Sequence, residues 1–126
     1  MLDERPTAAE LVTAVADFIE KKVAPQLDAH TAFHAKVAVN ALHIVIRELQ
    51  SGAAVAAADG VRLAALTGVA AEAGLPEQNK ALCGLIDREE IDGDDPALHA
   101  HLMQSVLARI AIDSPKYPSI KAVPER

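Results

Sequence analysis

Residues 31–50 read TAFHAKVAVNALHIVIRELQ, and this stretch decides the fold. Alanine and long aliphatic residues favour a helix, and Ser51-Gly52 is typical of a carboxyl-terminal cap, so we expect a helix over about residues 31–50. Its polar residues form one narrow stripe, the polar seam, which consists of Lys36, Asn40, His43 and Arg47. At 100° per residue these four fall within about 60° of one another. Almost every other direction is apolar or alanine, which predicts a central helix wrapped by the others.

The preceding stretch predicts a first helix. Thr7 and Glu10 have the spacing of a capping box, in which each side chain satisfies the other residue's backbone N–H. Apolar residues follow at helical spacing, and Pro25 stops the helix. We expect this helix over about residues 8–24.

Three further helices are expected after Gly52. An alanine-rich stretch from Ala53 to Leu66 is interrupted by Gly60, which predicts a kink or two shorter pieces. The other two helices are expected over about residues 76–90 and 96–112, the last with Leu98, Leu102, Val106 and Ile110 at successive fours. From Asp113 onwards, Pro115, Pro118 and Pro124 forbid regular helix. The sequence therefore predicts an all-α fold: one domain, residues 1–126, forming a compact bundle of about five helices around the second, with an extended tail over 113–126.

Composition and charge exclude several classes of protein. Alanine makes up roughly a fifth of the chain, which favours helices with close approaches. The net charge of −6 argues against nucleic acid as a partner. No stretch reaches the roughly 18 unbroken apolar residues of a membrane span, and the acidic start is unlike a signal peptide. The single cysteine, Cys83, forms no internal disulfide, so we expect a cytoplasmic protein.

Candidate catalytic and metal-binding residues are few. His30 and His34 are four apart, but no further ligand falls at a matching spacing, and His99 and His101 should point to different sides of their helix. Cys83 is expected on the core side of the fourth helix, with no local base to activate it. The acidic run 87–95 does not fit a calcium loop and is expected to be a solvated loop ending in a helix cap, or a docking surface for a basic partner. We therefore predict no catalytic residue, no cofactor and no metal.

The polar seam has two interpretations. It is either the narrow solvent-exposed stripe of a bundle helix or the contact surface for a partner. Asn40 among valines and leucines usually makes a defined hydrogen bond, and Arg47 beside Glu48 offers a forked donor next to an acceptor. We expect the second interpretation to be the one worth testing first.

The chain resembles a family of short bacterial proteins catalogued as a domain of unknown function. The resemblance is spread over residues 4–118 and is carried by Arg5-Pro6-Thr7, Glu10-Leu11, Phe18-Ile19-Glu20, Val23, Pro25, Leu27, Phe33, Val37-Ala38, Asn40-Ala41-Leu42, Val45, Arg47-Glu48-Leu49, His101-Leu102 and Ser114-Pro115-Lys116-Tyr117. Members are commonly encoded beside aminoglycoside-phosphotransferase-like kinases and acyl-CoA dehydrogenases. The resemblance implies the small subunit of a kinase that phosphorylates 4-hydroxyacyl-CoA, as in levulinate-type acid catabolism. It also implies that Arg5, Asn40, Arg47 and Glu48 are residues that the family prefers at these positions.

Three hypotheses follow. The first is a non-catalytic accessory subunit that contacts the kinase through the polar seam, the amino-terminal arm or the proline-rich tail. Its candidate interaction residues are Arg5, Lys36, Asn40, His43, Arg47 and Glu48. The second is a free-standing homodimer that binds an acyl-CoA or fatty acid, because small side chains permit close helix packing and leave room for an apolar pocket. The third, a metal-dependent hydrolase that uses His30 and His34, has the least support.

Overall fold

The computed structural model describes residues 5–117, which contain four α-helices and no strand. The helices are α1 (Ala8–Phe18), α2 (Ala29–Thr67), α3 (Leu75–Asp87) and α4 (Pro96–Asp113). The predicted all-α class is confirmed, with four helices instead of about five. No helix in this part of the chain is long and apolar enough to cross a membrane. Helix α4 ends at Asp113. Most of the predicted tail, 113–126, lies outside the described residues.

The contacts of the chain divide it into two compact units, Met1–Gly52 and Ala53–Arg126, which are described separately. In the first unit α1 begins at the predicted cap, where the Glu10 N–H donates to the Thr7 hydroxyl at 3.1 Å. The Glu10 carboxylate pairs with Arg5 at 3.2 Å. Beyond Phe18 the chain continues as a π turn, Ile19–Val23, and a 3₁₀ turn, Ala24–Gln26, which contains Pro25. The helical segment therefore has the predicted extent.

Helix α2 begins with a cap that the sequence prediction missed. The Asp28 carboxylate accepts from the Thr31 N–H at 2.8 Å and from the Thr31 hydroxyl at 3.1 Å. The backbone bond first, and the hydroxyl bond second, lower the pKa of the Asp28 carboxyl, because both favour its charged form. An acceptor in this position satisfies amides that have no partner within the helix.

The prediction that the helix ends at Gly52 is wrong, and so is the alternative of two shorter pieces about Gly60, because α2 runs through both as one helix of 39 residues. A Cβ on Gly52 would lie 2.6 Å from Oε1 of Glu48, the end of an exposed and flexible side chain, and one on Gly60 would lie 3.4 Å from the Ala71 Cβ, an ordinary contact. A single glycine costs a helix only about 1 kcal/mol relative to alanine, and the helix continues through both.

The prediction that residues 31–50 are wrapped on all sides is also wrong. Of the large apolar side chains in this span, only Val39 and Ile46 are buried, while Phe33 is 63% exposed and Leu49 is 49% exposed. The described part of the unit Met1–Gly52 offers one other α-helix, α1, and one neighbouring helix covers only one side of another. The apolar pattern was recognised correctly, but no element of this unit covers most of it.

The second unit has its core where α2, α3 and α4 meet. Leu63, Leu82 and Leu98 are buried together, and Leu66, Leu75 and Ile91 pack against them. Helix α4 begins as predicted, since the Asp95 carboxylate accepts from the Ala97 and Leu98 amides at 2.8 and 3.2 Å.

Helix α4 does not bury the apolar face suggested by its sequence. Leu98, His101 and Ile112 are buried, whereas Leu102 and Val106 are about half exposed. The polar groups described below take up the inward side of the helix, and this displaces the apolar stripe outwards.

Candidate functional site

The predicted contact surface lies entirely in the first unit. Lys36, Asn40, His43 and Glu48 are exposed on α2, and Arg47 is partly buried. Because α2 is one continuous helix, the polar seam exists as a stripe along three turns. Arg5, with a side chain that is 84% exposed, lies apart from the seam in sequence and pairs with Glu10 at the start of α1.

An exposed apolar surface accompanies the polar seam, and sequence reasoning missed it because these residues were expected in the core. On α1 it consists of Leu11, Val15 and Phe18, at helical spacing. On α2 every fourth residue belongs to it, a row that we call the α2 ridge and that consists of Phe33, Val37, Ala41, Val45 and Leu49. All eight side chains are exposed, although the chain also provides buried positions for Ala16, Val39 and Ile46. Both helices of this unit therefore expose apolar side chains that the unit itself leaves uncovered.

The second unit contains a buried ion cluster centred on Asp59, whose side chain is 3% exposed. Arg62 donates to the Oδ1 atom of Asp59, while Ser105 and Arg109 donate to Oδ2 at 3.2 and 2.9 Å. The Arg62 Nε atom also donates to the Nδ1 atom of His101 at 3.1 Å. Both carboxylate oxygens of Asp59 are therefore satisfied within the protein.

This cluster contains a serine, a histidine and an aspartate, but it is not arranged as a nucleophilic triad. The Ser105 hydroxyl donates to Asp59 and not to the imidazole of His101. The Nδ1 atom of His101 accepts from Arg62, so the proton of the neutral ring lies on Nε2. A triad requires the base to accept from the nucleophile and to donate to the acid. The geometry holds α2 against α4 and provides no base for Ser105.

Because of His101 in this cluster, the stability of the protein should fall as the pH is lowered. Burial first, and the neighbouring Arg62 second, lower the pKa of His101, while Asp59 opposes them. A lowered pKa means that the unfolded chain binds a proton more readily than the native state. The contribution of neutral His101 to the free energy of unfolding is therefore complete above about pH 6.5 and is lost as the pH falls below it. The free energy of unfolding then changes by at most about 1.4 kcal/mol per pH unit.

Urea unfolding between pH 7.5 and 5 measures this slope, and the His101→Asn variant should show a smaller one, because asparagine can accept from Arg62 without titrating. His99→Asn is the matched control, since His99 is exposed on the same helix. Equal slopes for wild type and His101→Asn would contradict the assignment of this pH dependence to His101.

A second buried polar residue, Gln78, is 0% exposed. Its Nε2 atom donates to the carbonyl oxygens of Gly60 at 2.9 Å and of Val69 at 3.0 Å, so it ties α3 to α2 and to the segment that follows α2. Its Oε1 atom is buried without a hydrogen-bond partner. The two accepting carbonyls fix the orientation of the amide, because only the NH₂ group can donate to both.

The other chemistry-bearing residues take simpler positions. The rings of His30 and His34 are 4.7 Å apart, and both residues are exposed. Within residues 5–117 no three or more His, Cys, Asp or Glu side chains are placed to hold a metal ion. Cys83 is exposed, so its predicted place on the core side of α3 is wrong. The helix turns its Leu82 side inwards instead, and that residue is 5% exposed.

The acidic run contains local turns and a cap. Asp92 accepts from the Asp94 N–H at 3.0 Å, and Asp95 opens α4. His99 contacts the Gly93 carbonyl oxygen at 2.5 Å through Nε2, which ties this loop to the first turn of α4. The cap at the end of the run is confirmed.

These features define a class: within residues 5–117, an all-helical protein with a buried ion cluster around Asp59 and with exposed apolar side chains on α1 and α2. Residues 25–117 match the family model described as "Domain of unknown function (DUF6285)", and the chain belongs to that family. A search of curated proteins finds no significant match. A search of solved structures finds none either.

Proposed function

We propose that this protein is a non-catalytic accessory subunit that acts by protein–protein contact on an aminoglycoside-phosphotransferase-like kinase of hydroxyacyl-CoA substrates. The kinase is the partner implied by the sequence resemblance. The observation that carries the proposal is the exposed polar seam beside an exposed apolar surface on one long helix. Polar residues bordering an apolar centre are the usual anatomy of a protein interface.

Within the polar seam, His43 and Arg47 are the residues most suited to this contact. They are four residues apart, so they lie about 40° from each other around α2 and about 120–160° from Ala41. Arg47 is partly buried, whereas His43 is exposed. Arginine anchors of this kind are enriched among the residues that dominate binding energy.

Co-expression with the kinase from the same genome should give a complex that survives size-exclusion chromatography at micromolar concentration. Combining His43→Ala with Arg47→Ala should raise the Kd by about tenfold or more, which corresponds to about 1.4 kcal/mol. Lys22→Ala, an exposed cation on the preceding helical segment, is the control and should leave the Kd unchanged. Separate elution of the two wild-type proteins would argue against the proposal.

A second candidate function, binding of an acyl-CoA or fatty acid, has one observation in its favour. An open groove in the second unit is lined by apolar residues such as Val69 and Leu85 and by three charged ones, Glu77, Lys80 and Arg88, with a net positive charge. Cations at the edge of an apolar groove suit a chain with an anionic head group. A thermal-shift panel of acyl-CoA compounds tests it, and a panel without any rise in Tm would eliminate it.

A further inference from the structure

The ion cluster around Asp59 contains more positive than negative charge. Two guanidinium groups, those of Arg62 and Arg109, donate to the single carboxylate of Asp59. The imidazole of His101 is neutral, because its Nδ1 atom accepts from Arg62. Two cations and one anion leave the cluster with a net charge of +1, although the whole chain carries −6. The cluster is therefore a positive site on an acidic protein.

The two helical segments that form the cluster provide no further carboxylate to neutralise this charge. Asp59 is the only acid in residues 53–67 of α2, and Asp113 is the only acid in α4. Asp113 lies one turn beyond Arg109 and is exposed, and no ion pair joins the two in the part of the chain that the structure describes. The excess positive charge is therefore left to solvent or to an anion from outside the chain.

Both arginines keep N–H groups with which they can bind such an anion. A guanidinium has five of them. Arg62 uses Nε for His101 and Nη2 for Asp59, and Arg109 uses Nη2 for Asp59. Among the described residues, the Nη1 atoms of both arginines and the Nε atom of Arg109 have no acceptor. The side chains of Arg62 and Arg109 are 24% and 56% exposed, so the pair is accessible from solvent.

The buried carboxylate brings the two guanidinium groups together. Asp59, with a side chain that is 3% exposed, accepts from Arg62 through Oδ1 and from Arg109 through Oδ2. Because the two arginines share one carboxylate, they are close enough to share a second small oxyanion of similar size. Arg62 is also held by His101, so it loses little conformational freedom when a ligand binds. The planar fork of arginine suits bidentate binding of carboxylate and phosphate groups.

From these observations we infer that Arg62 and Arg109 form an oxyanion-binding site, at which their remaining N–H groups bind a phosphate or carboxylate group of a ligand. The inference goes beyond the proposed function, because the site lies in the second unit and contains no residue of the polar seam. Kinase binding can fail while this site still binds an anion, and the reverse also holds.

Titration of the full chain with sodium phosphate at pH 7.5 and constant ionic strength tests the site. The Nε–H NMR signals of Arg62 and Arg109 should shift and saturate with a Kd of about 1–10 mM. Arg109→Gln should weaken binding at least fivefold, because one of the two guanidinium groups is lost. This variant should stay folded, since Arg109 is more than half exposed. Lys21→Gln is the matched control, because Lys21 is also an exposed cation paired with one carboxylate, that of Asp17, and it should leave the Kd unchanged.

A second variant and a second anion make the test specific. Arg109→Lys keeps the charge but not the planar fork, so its affinity should fall between those of wild type and Arg109→Gln. Phosphate, with its second negative charge, should bind more tightly than acetate, and the reverse order would assign the site to a carboxylate ligand. Exclusion of phosphate from the protein surface acts on every variant alike and does not saturate. Signals that fail to saturate with either anion, or an Arg109→Gln variant that binds like wild type, would overturn the inference.

Discussion

Replacing Asp59 with alanine is expected to lower the free energy of unfolding by about 3 kcal/mol, because it leaves the partly buried Arg62 guanidinium without its anion. Arg62, whose side chain is 24% exposed, would lose its partner on α2, and Ser105 would lose an acceptor. Arg109 has a side chain that is 56% exposed and can turn to solvent, so its lost ion pair should contribute little. Most of the loss therefore arises at Arg62 and Ser105.

Urea denaturation followed by circular dichroism measures the Asp59 effect. Asp17→Ala is the matched control, because Asp17 also pairs with a cation, Lys21 at 3.8 Å, but both side chains are exposed. That change should cost less than about 0.5 kcal/mol. Asp59→Asn should fall between the two, since the amide keeps one accepting oxygen but presents an NH₂ group to the other donors. A loss below 1 kcal/mol for Asp59→Ala would show that the cluster does not hold α2 and α4 together.

The local features of the fold could be predicted because their causes lie within a few residues. Thr7 and Asp95 cap their helices through bonds to amides two or three positions away, and the sequence shows both partners. The same holds for the end of α4 near Asp113, where the proline-rich segment begins. For these features the chemistry of neighbouring residues decides the structure.

The Asp59 cluster could not be predicted in this way. Ser105 and Arg109 lie 46 and 50 residues further along the chain, and nothing in the local sequence links them to Asp59. The available signal is Asp59 itself, a charged residue in an alanine-rich stretch next to Gly60. The sequence pattern indicates a helix breaker at Gly60, whereas in the structure the Gly60 carbonyl oxygen accepts a hydrogen bond from Gln78 within a continuous helix.

The α2 ridge shows a different limit of sequence reasoning. Periodicity identifies which side chains are apolar, but it does not identify what covers them. Phe33 and Val37 fit a core helix and an interface helix equally well, and the number of neighbouring helices decides between the two. This is why the polar residues of α2 can be placed on one stripe from the sequence, while the apolar side chains of the same helix are assigned to the interior and prove to be exposed.

Replacing Gln78 with leucine is expected to lower the free energy of unfolding by about 2–3 kcal/mol, because two buried carbonyl groups lose their donor. The Gly60 carbonyl would lose the bond from α3, and the Val69 carbonyl would lose the bond that holds the chain just beyond α2. Removing the unpartnered Oε1 atom offsets part of this loss. Gln104→Leu, at an exposed position of α4, is the control and should stay within about 0.5 kcal/mol of wild type.

The Gln78→Glu variant separates hydrogen bonding from shape, because glutamate has nearly the same size as glutamine. At neutral pH it would place a carboxylate against two carbonyl oxygens in a buried site, so it should be less stable than Gln78→Leu. Such a glutamate has a raised pKa in the folded state, and its protonated form can donate one O–H bond. Its stability relative to Gln78→Leu should therefore be best below about pH 4.3 and should decline as the pH rises. If the two variants kept the same difference in unfolding free energy from pH 4 to 7.5, then the packing of the side chain, and not its donors, would be what holds α3 to α2.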